Sequence, residues 1–102
     1  MPLSSQYNAL EKTLKIKIDG RFDYENHQEF SAAYRELPDI AHTKFIIDLS
    51  KVTYLDSTAL GMLLLLRERA GGDRCDITLL GANPDTKKIL DITNFQQIFK
   101  LQ

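Results

Sequence analysis

The chain has 102 residues, enough for one compact domain and too few for two. At 43% hydrophobic and 26% charged it has the composition of a soluble globular protein, which excludes a disordered chain. Its net charge of −1 argues against a nucleic-acid surface, where a basic excess is expected.

Residues 5–10 read as a short first strand with Tyr7 and Ala9 on one face. Leu14 to Ile18 alternates strictly, placing three apolar residues on one face and Lys15 and Lys17 in water. The two segments are expected to pair as a hairpin through Glu11-Lys12-Thr13, after which Gly20 releases the chain from the sheet. A first helix should start at Asp23, whose carboxylate can cap the free N–H groups of the next turn. His27, Phe30, Tyr34 and Leu37 recur at helical spacing, and Pro38 ends the element.

Phe45 to Leu49 reads as a buried central strand, followed by a loop, Ser50–Leu55, whose Val52, Tyr54 and Leu55 tuck against the core. A central helix is expected from about Ser57 to about Arg69, closed by Gly71-Gly72. Its block Ala59–Leu66 is apolar on every face, which predicts burial almost all round. Residues 76–80 form another strand. Asn83 then caps a short helix with Pro84 at its first position. Phe95, Ile98, Phe99 and Leu101 make an apolar tail, readable as a last helical turn or a short closing strand. Strands alternating with helices after a hairpin predict an α/β fold, a mixed sheet with helices packed on it.

The usual catalytic and metal-binding spacings do not appear in the sequence. His27 and His42 lie far apart with no Cys/His cluster beside them, and His27 on an apolar helix face reads as a packed histidine. No phosphate-binding loop of the GxxxxGK[ST] type occurs, and Cys75 lacks the partner that would make it a nucleophile. The expectation is a non-enzyme. One cysteine cannot form an internal disulfide, the apolar run is far short of the ~20 residues of a membrane span, and the N-terminal stretch does not resemble a signal peptide. A cytoplasmic protein follows, with residues 1–102 as one domain.

Ser57 has two readings. Asp56 or Ser57 can simply cap the central helix, as Ser and Asp commonly do. Alternatively Ser57 is a phosphorylation site, where unpaired N–H groups and the helix dipole would accept a phosphate of about −1.5 to −2 charges without melting the fold. Added charge there would disturb a partner rather than the domain.

The run Tyr54-Leu55-Asp56-Ser57-Thr58-Ala59-Leu60-Gly61 resembles the signature of the STAS domain, in its branch of bacterial anti-sigma factor antagonists. There the motif reads Asp-Ser-[Ser/Thr]-Gly-Leu-Gly, and the first Ser is phosphorylated by an anti-sigma serine kinase; this chain departs from it at Ala59, where glycine is usual. Gly20-Arg21-Phe22-Asp23 and Phe45-Ile46-Ile47-Asp48-Leu49 are similar to two further landmarks, so the resemblance spans about residues 5 to 101.

The resemblance implies a STAS-like fold of four to five strands and three to four helices. It implies phosphorylation at Ser57, with partner contacts near the switch at Asp23, Asp56, Thr58, Ala59 and Gly61. The implied partners are a GHKL-type anti-sigma serine kinase and a PPM-type phosphatase, which can be joined to a response regulator. No cofactor or metal, no nucleic acid and no membrane are expected, and the protein is expected to be a monomer. The alternative is a structural STAS subunit of a lipid- or anion-transport complex.

Overall fold

The computed structural model describes residues 2–102. Five strands lie in sequential order in one mixed sheet: β1 (Leu3–Asn8), β2 (Thr13–Phe22), β3 (Lys44–Leu55), β4 (Asp76–Leu80) and β5 (Lys100–Leu101). β1 and β2 are antiparallel, and every later pair is parallel. Three α-helices supply the crossovers: α1 (His27–Arg35), α2 (Ser57–Arg69) and α3 (Pro84–Ile92). Right-handed crossovers advancing in one direction along a sheet put every helix on the same face. Phe30 and Tyr34 of α1, Leu63 and Leu66 of α2 and Leu90 of α3 accordingly share one core with Ile16, Ile47 and Leu79 of the sheet. Gln6 and Lys15, whose strand positions point the other way, stay in solvent.

The expected α/β architecture is present, with three corrections in the strands. β1 is Leu3–Asn8, so Ala9 falls in the turn rather than beside Tyr7. Gly20 does not release the chain: β2 continues to Phe22, and Gly20 takes φ +88° where the β2–β3 register shifts. Ser50–Leu55 is not a loop but the second half of β3. From Lys17↔Asp48 to Arg21↔Tyr54 the pairing uses four steps on β2 and six on β3, so β3 carries two extra residues. Such bulges bend a strand and change which side chains face inward. Leu49, Val52 and Leu55 are consequently buried at a spacing of three, whereas Tyr54 is 42% exposed instead of tucked against the core.

The helix starts fall where their capping chemistry predicts. Asp23 caps a 3-10 turn (Tyr24–Asn26) that runs into α1, accepting from the Glu25 N–H at 3.1 Å while Asn26 Oδ1 accepts from the Asp23 N–H at 2.9 Å. Asn83 Oδ1 accepts from the Thr86 N–H at 2.8 Å, and Asn83 Nδ2 donates to the Val52 carbonyl at 3.0 Å, tying α3 to β3. His27 is half-buried and stacks on Tyr24 at 4.4 Å. The tail contains both alternatives, a 3-10 turn over Phe95–Gln97 and then β5.

The burial expected all round α2 is wrong. Ala59, Leu63 and Leu66 are fully buried, but Leu64 is 43% and Leu65 49% exposed. The helix lies on one side of a sheet, and a single sheet covers only one stripe of it. Gly61 is on the open side, where an added Cβ would meet nothing within 4 Å.

Candidate functional site

β2 and β3 end together, because Phe22 pairs with Leu55 and both side chains are buried. The next residues are Asp23 and Asp56, and each begins a helical segment. Phe22 packs on Phe30 with ring centroids 5.4 Å apart, which anchors the β2–α1 junction from below. The ends of parallel strands and the starts of the following helices thus converge at one edge of the domain, where helix N-termini concentrate positive potential.

Asp56, not Ser57, is the N-cap of α2. Its Oδ1 accepts from the Ala59 N–H at 3.1 Å and from the Thr58 hydroxyl at 2.5 Å. The Thr58 hydrogen bond and then the Ala59 N–H, with a smaller contribution from the Arg21 charge, hold the Asp56 carboxyl below its ordinary pKa. Ser57 is the first residue of α2 and is exposed. Its hydroxyl takes part in none of the side-chain hydrogen bonds found among the described residues. With the cap supplied by its neighbour, Ser57 is free for other chemistry.

The remaining predicted site residues divide. Asp23, Asp56, Thr58 and Ser57 gather at the helix-start edge, and Gly61 lies one turn further along the exposed side of α2. Ala59 does not belong with them as a contact residue: it is 0% exposed and packs in the core. Asp48 makes the local bond expected of it, accepting from the Ser50 N–H at 2.9 Å. Burial pushes the Asp48 carboxyl up, but the Ser50 hydrogen bonds and the charges of Lys15 and Lys17 outweigh this and hold its pKa below the ordinary value.

Several surface residues escaped the sequence reading. Arg21 pairs through Nε with Asp23 Oδ2 at 3.1 Å, and its guanidinium lies 4.0 Å from the centroid of the Tyr54 ring. Tyr24 stacks on His27, which with Met62 and Leu65 lines a groove of about 90 Å³ between α1 and α2. Among the described residues the exposed large hydrophobics include Tyr24 beside the Asp23 cap, Tyr54 just before α2, and Leu64 and Leu65 about two turns into α2. The sequence signal was present only as an arginine two residues before the capping Asp23. The leucines were hidden inside an apolar run.

Among the described residues no group of three or more His, Cys, Asp or Glu is placed to hold a metal ion. Among the same residues no helix is long and apolar enough to cross a membrane.

A mixed sheet covered by helices on one face, with an exposed serine at the start of α2, sets the architecture in which the chain can be placed. The chain belongs to the STAS family: residues 5–101 match the family described as "Mlab, STAS domain". Domains of this family are non-catalytic regulatory modules. A STAS-domain containing protein of Pseudomonas aeruginosa (strain UCBPP-PA14) is 46% identical over 101 residues, covering 99% of both chains. Among solved structures, an anti-sigma-factor antagonist (STAS) domain protein from Planctomyces limnophilus is similar at TM-score 0.77 and 18% identity, over 97% of this chain and 87% of that one. The anti-sigma factor antagonist SpoIIAA in its unphosphorylated form is similar at TM-score 0.70 and 17% identity, over 98% and 86%. Both structural likenesses concern the fold.

Proposed function

We propose that this protein is a partner-switching regulator, an anti-sigma factor antagonist whose Ser57 is the switch. Unphosphorylated, it binds a GHKL-type serine kinase and displaces what that kinase holds. The kinase transfers the γ-phosphoryl group of its ATP to Ser57 Oγ; the hydroxyl proton leaves and ADP remains with the kinase. The phosphorylated protein then dissociates, and a PPM-type phosphatase restores the hydroxyl by hydrolysis, releasing inorganic phosphate.

One observation carries the reading: Ser57 is exposed and free of capping duty, with exposed Tyr54 just before it and exposed Leu64 and Leu65 further along the same helix. Those side chains supply apolar area for a partner. A phosphate at Ser57 adds about −1.5 to −2 charges to that contact, which the partner must desolvate or repel. The domain itself tolerates the phosphate, because α2 begins there with unpaired N–H groups.

The test is titration of the kinase against wild type, Ser57→Ala and Ser57→Asp, with thermal melts of all three. Ser57→Ala should bind undiminished and resist release by ATP, and Ser57→Asp should bind more weakly. Both should melt within a few degrees of wild type, since surface changes typically fall within about 0.5 kcal/mol. Equal affinity for all three folded proteins overturns the switch. That outcome would favour the second reading, a structural STAS subunit of a lipid- or anion-transport complex, in which a permanent partner covers Leu64 and Leu65 regardless of Ser57.

A further inference from the structure

We infer that Arg21 is an intramolecular clamp for the phosphorylated switch: when Ser57 carries a phosphate, the Arg21 guanidinium leaves Asp23 and pairs with it. The inference rests on the phosphorylation of Ser57 proposed above and adds the residue that reads it.

Four features support it. Arg21 is paired in register with Tyr54, three residues before Ser57, so its side chain rises from the strand next to the one leading into α2. The Tyr54 ring, 4.0 Å from the guanidinium carbon, supports the flat face of the group at the helix-start edge. The hydrogen bonds found among the described residues use only its Nε, toward Asp23, which leaves the terminal nitrogens as donors for another acceptor. Finally, the Arg21 side chain is 64% exposed, so it can turn without unpacking the core.

The exchange follows from charge and geometry. Asp23 offers Arg21 one carboxylate through one nitrogen. A phosphoserine offers about two charges and three oxygens, which the guanidinium fork can engage in parallel. Release of Arg21 does not uncap the 3-10 turn before α1, because the Asp23 oxygen that accepts from the Glu25 N–H is Oδ1, whereas Arg21 holds Oδ2. The partner-facing edge therefore changes in two places at once: a phosphate appears at Ser57, and Asp23 loses its cation. Arginine two residues before the capping aspartate distinguishes this chain from one in which the phosphate is held by helix N–H groups alone.

The experiment needs no partner. Phosphoserine is placed at position 57 by genetic encoding, and the second ionisation of the phosphate is followed by phosphorus NMR in wild type, Arg21→Gln and Arg21→Lys. With the clamp, the wild-type phosphate titrates below about 6, and Arg21→Gln raises that pKa by about half a unit or more. Arg21→Lys should fall between them, keeping the charge but losing the fork. Asp23→Asn should lower the pKa further, because it frees Arg21. Melts of the unmodified variants check that the exposed substitutions leave the fold intact. The same phosphate pKa in wild type and folded Arg21→Gln overturns the clamp. The switch reading fails separately, by equal kinase affinity with and without phosphate, so the two failures are distinguishable.

Discussion

Asp23 and Asp56 occupy equivalent places one strand apart: each follows one of the paired residues Phe22 and Leu55, and each caps the helical segment after it. The register of two parallel strands thereby brings two capping carboxylates to one edge of the domain. One is bound to Arg21; the other accepts from Thr58 and Ala59. Their difference in partners leads to different expectations for their substitution.

Asp23→Asn should leave the melting temperature nearly unchanged, because asparagine caps about as well as aspartate and the Asn26 half of the box remains. Kinase affinity or phosphorylation should fall, since a charge is lost and Arg21 is set free. Unaltered binding and phosphorylation in a titration of the folded variant would leave Asp23 a cap only.

Asp56→Asn should reveal itself through pH. The folded carboxyl titrates below its ordinary value near 3.8, so the native state favours the ionised form. Its stabilisation is therefore complete above the unfolded pKa and disappears as pH falls through the folded one. Wild type should melt above Asp56→Asn near pH 7, and the gap should narrow progressively in melts taken at successive pH values below the ordinary carboxyl value of 3.8. A gap that widened on acidification would show the opposite sign of linkage.

Leu63 and Leu64 are neighbours with opposite fates. Leu63→Asp places an unpaired carboxylate in the core and should abolish stable folding, since burial of a leucine side chain contributes about 1.5–3 kcal/mol and an unpaired charge costs more. Leu64→Asp should fold and melt near wild type while weakening kinase binding. Circular dichroism melts beside a binding titration separate the two; loss of folding in Leu64→Asp would contradict the exposed stripe on α2.

Gly61 and Gly81 make a second contrast. Gly61 has helical geometry with open space around its would-be Cβ, so Gly61→Ala should stabilise the free protein by about 0.5–1 kcal/mol. If a partner approaches closely there, the same methyl lowers affinity. Gly81 has φ +75°, and its Cβ would lie 2.9 Å from the Ser50 Cβ, so Gly81→Ala should destabilise by about 1–3 kcal/mol. Chemical denaturation of both variants checks the opposite signs.

The elements legible in the sequence were those with local causes. Alternation marked Leu14–Ile18, and the caps Asp23 and Asn83 are chemistry that acts within one turn. The second half of β3 was illegible because two bulges convert a period of two into burial at Leu49, Val52 and Leu55. A strand spaced by threes looks like a loop until its partner is known. The all-round apolar composition of α2 likewise carried no information about which leucines the sheet covers. The Asp56-Ser57-Thr58 run marked where α2 starts, but not whether Asp56 or Ser57 caps it. The motif resemblance counts Ala59 among the partner contacts, whereas the helical turn points it into the core. Arg21 gains its place only from cross-strand pairing with Tyr54.

The short β5 has a consequence for solubility. β4 runs Asp-Ile-Thr-Leu-Leu, and without a neighbour its outer edge would offer open N–H and C=O groups along an apolar strand. Pairing of Thr78 and Leu79 with Lys100 and Leu101 occupies that edge. The Gln102 N–H extends the cover by donating to the Leu79 carbonyl at 3.0 Å, and the Gln102 carbonyl accepts from the Gly81 N–H at 2.9 Å. Lys100, held by Asp76 at 2.9 Å, then places a charge on the strand that has become outermost. Two paired residues, one of them a lysine, thus stand between an apolar strand and edge-to-edge aggregation of one copy with the next.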